Sequence, residues 1–239
     1  IASDAEAMAV RLLDEARRTE SAKRLLGVVE EHLGKYLAAE TVAEKAAFVR
    51  HRERVQPLME AFYRDRPLVP HSFERIGHFV PLSLDQHPFI GVLVELDDGR
   101  DLTLLIEQTG EHEVRFDWES EVAFQSMRLA DYLAKRPEEP VDFRVFAAFD
   151  DFYAFEFADR DEWRSLFLTV RDSDEYLFAY VKRDSEEDRR VMEFIGADAK
   201  RAVPLLLRLR FLPDARSTRS VLVEEVLAPR WAYLENPAP

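Results

Sequence analysis

Six carboxylates fall within residues 146–163, FAAFDDFYAFEFADRDEW: Asp150, Asp151, Glu156, Asp159, Asp161 and Glu162. Two carboxyl groups about 5–9 Å apart can cleave a glycosidic bond, and a convergent set can hold calcium. Both chemistries need the side chains to meet. Adjacent residues of a strand, such as Asp150 and Asp151, point to opposite faces. The run from Asp159 to Glu162 sits where a polar turn is expected ahead of Trp163. The segment therefore reads as strands and a turn with a bend near Asp150, the acids serving the backbone rather than a substrate.

Other reactive groups are sparse. With no cysteine, thiolate catalysis, disulfides and cysteine-ligated metals are excluded. The six histidines (His32, His51, His71, His78, His87, His112) follow no metal-ligand spacing. There is no nucleophile elbow, phosphate-cradling loop or dinucleotide fingerprint, and only 7 glycines from which to build one. Asp97 to Asp101 resembles the start of a calcium loop, but Gly99 comes too early and a hairpin explains it better. No metal, no cofactor and no catalytic set is expected. His87 and Trp118 are the candidates for lining a cavity, with a core tryptophan as the competing reading.

Three groups of elements must position these residues. Ser3 and Glu6 form a capping box, followed by apolar residues at Met8, Leu12, Leu13 and Ala16, then Leu25, Leu26, Val29, Leu33, Tyr36 and Leu37. This predicts one long helix or two end to end, residues 1–21 being a stalk or an exposed helix end. Thr41 and Glu44 form a second capping box, and Pro57 suits the first turn of a third helix. Pro67, Pro70, Pro81 and Pro88 then punctuate extended pieces. Strands at residues 89–96 and 102–107 flank an Asp-Gly hairpin signal, Val114 and Phe116 begin another strand, and Asp117 caps a helix carrying Val122, Met127, Leu129 and Leu133. A linker at 136–141 separates a helix-plus-sheet domain (22–136) from a second domain (141–234). In the latter Phe143, Val145, Ala147 and Phe149 share one face, with Tyr153, Phe155 and Phe157 continuing the parity. Strands at 166–170 and 176–181, a helix from Ser185 to Gly196, and strands at 203–211 and 221–223 follow.

The expected class is α+β: N-terminal helices packed on an antiparallel sheet, then a small β-barrel with one helix. The order of three strands, a helix and two strands over residues 141–231 resembles the OB-fold. Helices followed by a curved antiparallel sheet resemble the NTF2-like or cystatin-like class, although the helix near 118–134 departs from that order. Val49, Arg50, Glu53, Arg54, Val55, Pro57, Leu58, Met59 and Glu60 form a string similar to one in uncharacterised bacterial membrane-anchored proteins. The chain begins with Ile1 rather than Met. A removed N-terminal segment, which would tether it to a membrane, is therefore the expectation for its location.

The formal charge is -14, and residues 71–140 are the most acidic third, with 6 basic against 15 acidic side chains. Such a surface disfavours phosphate backbones and anionic lipid. In the OB-like part, Tyr176, Phe178 and Tyr180 share one side of a strand, and Arg208 and Arg210 one side of another. If those sides face outward together, they form a binding surface of aromatic and guanidinium groups. The functional expectation is a non-catalytic interaction or scaffold protein with a protein partner. Its rivals are a ligand binder or enzyme with an NTF2-like cavity, and a single-stranded nucleic-acid binder.

Overall fold

The computed structural model describes residues 2–196 and 201–237, and side chains from residue 20 onward. The chain divides into two compact units, residues 1–118 and 119–239. It contains both helices and sheets, in two sheets of four and five strands.

In the first unit, α1 is one unbroken helix, Ala2–Leu37. Val29, Leu33, Tyr36 and Leu37 are spaced to share one helix face and are buried. Tyr36 lies flat against Phe116, ring centroids 4.3 Å apart. The side chains of Ser3, Glu6 and the rest of residues 1–19 of the proposed stalk lie outside the described residues. The second capping box is formed: Thr41 accepts from the Glu44 N–H at the start of α2 (Val42–Ala46), and Glu44 accepts from the Thr41 N–H. α3 (Arg52–Phe62) begins earlier than expected, so Pro57 lies in its interior rather than its first turn.

β1 (Phe73–Leu84), β2 (His87–Leu96), β3 (Asp101–Gly110) and β4 (Glu113–Phe116) form an antiparallel meander in chain order. The Asp-Gly hairpin joins β2 to β3, with Gly99 at φ 79, a conformation that costs glycine least. At the edge of the sheet, β1 carries Pro81 and two register shifts, features that blunt pairing with another strand. Among the described residues no helix is long and apolar enough to cross a membrane.

The second unit starts within α4 (Trp118–Glu121) and includes α5 (Leu129–Lys135). A single helix over this stretch was the expectation. Instead Ala123 turns at φ 47, and the Gln125 amide grips the Arg144 backbone, donating to its carbonyl at 2.7 Å and accepting from its N–H at 3.1 Å. Leu129 and Tyr132 of α5 belong to the core of the second unit, so the division falls at 118/119 and not in the 136–141 linker.

The barrel strands are β5 (Val141–Asp150), β6 (Trp163–Thr169), β7 (Tyr176–Lys182), β8 (Val203–Arg210) and β9 (Ser220–Pro229), with α6 (Glu186–Ile195) between β7 and β8. They close in the order β5-β6-β7-β9-β8. All pairs are antiparallel except β7 with β9, where Phe178 faces Ser220 and Tyr180 faces Leu222 in parallel register. Alternate residues fill the interior: Phe143, Val145 and Ala147 from β5, Leu166 and Leu168 from β6, Leu177, Ala179 and Val181 from β7, with Leu205, Leu207 and Leu209 from β8. The other parity of β6 and β7 must therefore point outward.

α6 is capped by Ser185, which accepts from the Asp188 N–H, and ends at Gly196. Both oxygens of Asp188 bond the Arg164 guanidinium of β6, which holds the helix to the barrel. Burial alone would raise the Asp188 carboxyl, but Arg164 and the Asp184 N–H outweigh it and keep the group below its ordinary 3.8. A depressed carboxyl stabilises the fold fully above that value, and the contribution disappears as the pH falls through the folded-state value. Asp188→Asn should cost about 2 kcal/mol at neutral pH, the worth of charged hydrogen bonds. Urea unfolding across pH should show its gap to the parent narrowing only below pH 3.8. A pH-independent gap would remove the charge from this account.

Candidate functional site

The acid-rich segment proves to be a strand end and a loop. β5 stops at Asp150, and residues 151–162 lead to β6 with a single 3-10 turn, Phe155–Phe157. Tyr153, Phe155 and Phe157 are thus not strand residues, as their parity implied, and Phe155 sits at φ 55. Five of the six carboxylates have a local task. Asp150 accepts from the Phe152 N–H at 3.0 Å, making the bend. Asp159 accepts from the N–H groups of Asp161 and Glu162 at 2.8 and 3.3 Å. Asp151 pairs with Arg160 at 3.1 Å, and Glu162 with Lys182 at 3.7 Å. Glu156 accepts from the Arg216 N–H and Nε, at 2.8 and 3.2 Å. These arrangements shape a loop.

The loop also brings its aromatics back over the outside of β7. Phe152 stacks on Phe178 at 4.2 Å and 29°, and Phe157 on Tyr180 at 4.1 Å and 4°. The Tyr180 hydroxyl donates to the Phe152 carbonyl at 3.1 Å. Tyr180 is consequently fully buried and unavailable to a ligand, which removes it from the expected binding surface. Tyr176 and Phe178 do face outward and remain half-buried, with Phe167 of β6 beside them. Ring centroids in this group lie 5.5–5.9 Å apart: Phe167 to Tyr176 5.5 Å, Tyr176 to Phe178 5.6 Å, Phe167 to Phe178 5.9 Å. Phe152 and Phe155 are 40% and 49% exposed beside this group.

Arginines rim the group, though not those expected. Arg208 and Arg210 stand on β8, whose neighbours are β5 and β9, so the closed barrel separates them from β6 and β7. Arg208 is held by Asp142 at 2.8 Å and Glu225 at 2.7 Å, Arg210 by Glu224 at 2.5 Å. The arginines at the aromatic group come from the other loops. Arg219 lies over Tyr176 at 4.4 Å and pairs with Glu175 at 2.7 Å; Arg216 lies over Phe155 at 5.5 Å; Arg160 lies over Tyr153 at 5.0 Å. No local pattern marks Arg216 and Arg219 in the sequence, because residues 211–219 reach the face only through barrel closure.

In the first unit neither cavity candidate lines the pocket described there. Trp118 is buried, with its Nε1 donating to the Tyr63 hydroxyl at 3.1 Å and its ring edge-on to Phe62. His87 Nδ1 lies 3.5 Å from Glu107, a carboxylate that also accepts from Arg50 Nε at 2.6 Å. A cavity of about 230 Å³ in this unit is lined by residues including Ser21, Leu25, Gln108 and His112, and neither His87 nor Trp118 borders it. His71, Asp97 and Asp98 approach within 4.8 Å, but Arg100 already bridges His71 and Asp98, donating to Asp98 at 2.8 Å.

The described geometry thus offers one surface of apolar rings and stacked guanidinium groups on the barrel. No family model, curated protein or solved structure matches the chain, so its function is argued from this surface.

Proposed function

We propose that the chain is a non-catalytic recognition protein that binds a protein segment on the outer face of β6 and β7. The observation that carries this reading is the open aromatic group of Phe152, Phe167, Tyr176 and Phe178. Partly exposed rings in mutual contact beside arginines have the composition of interface anchors. The barrel is read as an OB-type barrel on its strand order, its parallel β7–β9 pair and the position of α6. In that architecture the face of the second and third strands and the flanking loops receives ligands, and here those are β6, β7 and residues 151–162 and 211–219. The helix-and-sheet part of the first unit is left as α+β, since neither NTF2-like cavity residue borders the cavity described there.

A second reading, single-stranded nucleic acid, is favoured by the same rings, on which bases can stack. The charges oppose it. Arg160, Arg216 and Arg219 are each paired with a carboxylate (Asp151, Glu156, Glu175), leaving little to neutralise phosphates.

Affinity capture from the native source tests the choice, with the intact chain as one bait and Phe152→Ala/Phe178→Ala as the other. The intact bait should retain a defined protein, and the double variant should lose it, since removing a central anchor costs about 2 kcal/mol, roughly 30-fold in affinity. Equal recovery by both baits would move the interface elsewhere. Recovery of an oligonucleotide, abolished by the same substitutions, would establish the second reading.

A further inference from the structure

We infer that the segment bound on the β6–β7 face is cationic and arginine-rich; this deepens the reading above and depends on it. The face already displays the interaction within the chain. Three of its rings carry guanidinium groups from the same molecule: Tyr176 under Arg219, Phe155 under Arg216 and Tyr153 under Arg160. A planar, weakly hydrated guanidinium is attracted to the face of an aromatic ring, more so where water is excluded. Phe152, 40% exposed and backed by Phe178, presents a ring that no guanidinium of the described chain occupies, and Phe167 stands beside Phe178.

The rim supplies the second half of the argument. Residues 151–162 contain five acidic side chains against Arg160, and residues 171–175 three against Arg171. Residues 211–219 contain Asp214 against Arg216 and Arg219, so the three connections that frame the face carry a net charge of -5. Among the described residues Asp161, Asp172 and Asp174 are exposed and form no ion pair. Rings inside an acidic frame suit cations whose flat faces stack while their edges meet carboxylates. In an extended peptide alternate side chains face the same way, so arginine at every second position would turn its guanidinium groups toward the face together.

Fluorescence anisotropy on the full chain at 150 mM salt, roughly physiological ionic strength, tests this with defined probes. These are about 12 residues long, a length set by the extent of one extended strand, alternating Ser with Arg, Lys or Glu, together with an oligothymidine of equal length. The Arg peptide should bind, the Lys peptide several-fold more weakly and the Glu peptide and oligothymidine not at all; Phe152→Ala/Phe178→Ala should weaken the Arg peptide about tenfold or more. Equal affinity of Arg and Lys peptides, unchanged in the double variant, would mean diffuse attraction to an acidic chain and overturn the inference. No binding of the Arg peptide would also overturn it, while the captured protein's dependence on Phe152 and Phe178 would stand. Oligothymidine binding that the double variant abolishes would overturn both readings.

Discussion

Arg144→Ala should destabilise the second unit by about 3–5 kcal/mol, the cost of breaking a buried ion pair on one side. Its side chain is 3% exposed and its partners are all internal. Nε donates to the Trp231 carbonyl at 2.9 Å, Nη1 to the Phe124 carbonyl at 2.8 Å, and Nη2 lies 3.1 Å from Glu119 Oε1. Those three groups come from α4, the turn after it and the segment after β9, while Arg144 itself stands on β5. One guanidinium thus ties both ends of the unit to a barrel strand. Its removal withdraws the guanidinium from the buried Glu119 carboxylate and from two backbone carbonyls. Thermal unfolding should show a midpoint lowered by roughly 10–20 °C for a unit of this size. Arg144→Met/Glu119→Leu should recover part of the loss, because an apolar pair carries no desolvated charge. A single variant within 1 kcal/mol of the parent, well below that expected loss, would show that the side chains there relax to solvent.

Arg50→Met should act on the first unit with similar force. Arg50 is 2% exposed and bonds Glu107 and Asp117, each at 2.6 Å, while its guanidinium lies 4.8 Å from the Phe89 ring centre. It follows Val49, which bridges Phe116 as an extension of the sheet, and its own N–H donates to the Phe116 carbonyl at 2.9 Å. Methionine keeps the apolar stem, so the expected loss of about 3–5 kcal/mol reports the cation withdrawn from Glu107 and Asp117. Neutralising the carboxylates in Arg50→Met/Glu107→Gln/Asp117→Asn should recover part of the loss. Urea unfolding of parent, single and triple variants measures this directly. A triple variant no more stable than the single one would assign the effect to packing.

These two arginines also mark the limit of what the sequence discloses. The Thr41–Glu44 capping box, the Asp-Gly hairpin and the Ser185-to-Gly196 helix are local devices, legible because their partners lie within a few residues. The parity of β6 and β7 was visible, but not its direction. Tyr176, Phe178 and Tyr180 alternate with Leu177, Ala179 and Val181, and both sets are apolar enough to face inward. Only closure of the barrel decides that the aromatic set is outside. The loop at 151–162 misled for a related reason, since Tyr153, Phe155 and Phe157 keep strand spacing while packing on another strand's outer face. Arg208 and Arg210 looked free because Asp142 is 66 residues from Arg208, and Glu225 and Glu224 are 17 and 14 residues from their arginines. Long-range pairing of this kind leaves no local pattern. The helix expected across 118–134 was broken by Arg144 and Gln125, whose hydrogen bonds outweigh local propensity.

The most direct measurement is photocrosslinking in the native source, with Phe178→p-benzoylphenylalanine on the barrel and Val80→p-benzoylphenylalanine on β1. Val80 is a fair rival, being 50% exposed on the edge strand of the other unit. A defined protein adduct from position 178 and none from position 80 is the predicted result. An adduct from position 80 alone would place recognition on the first unit and contradict the aromatic face as the binding surface.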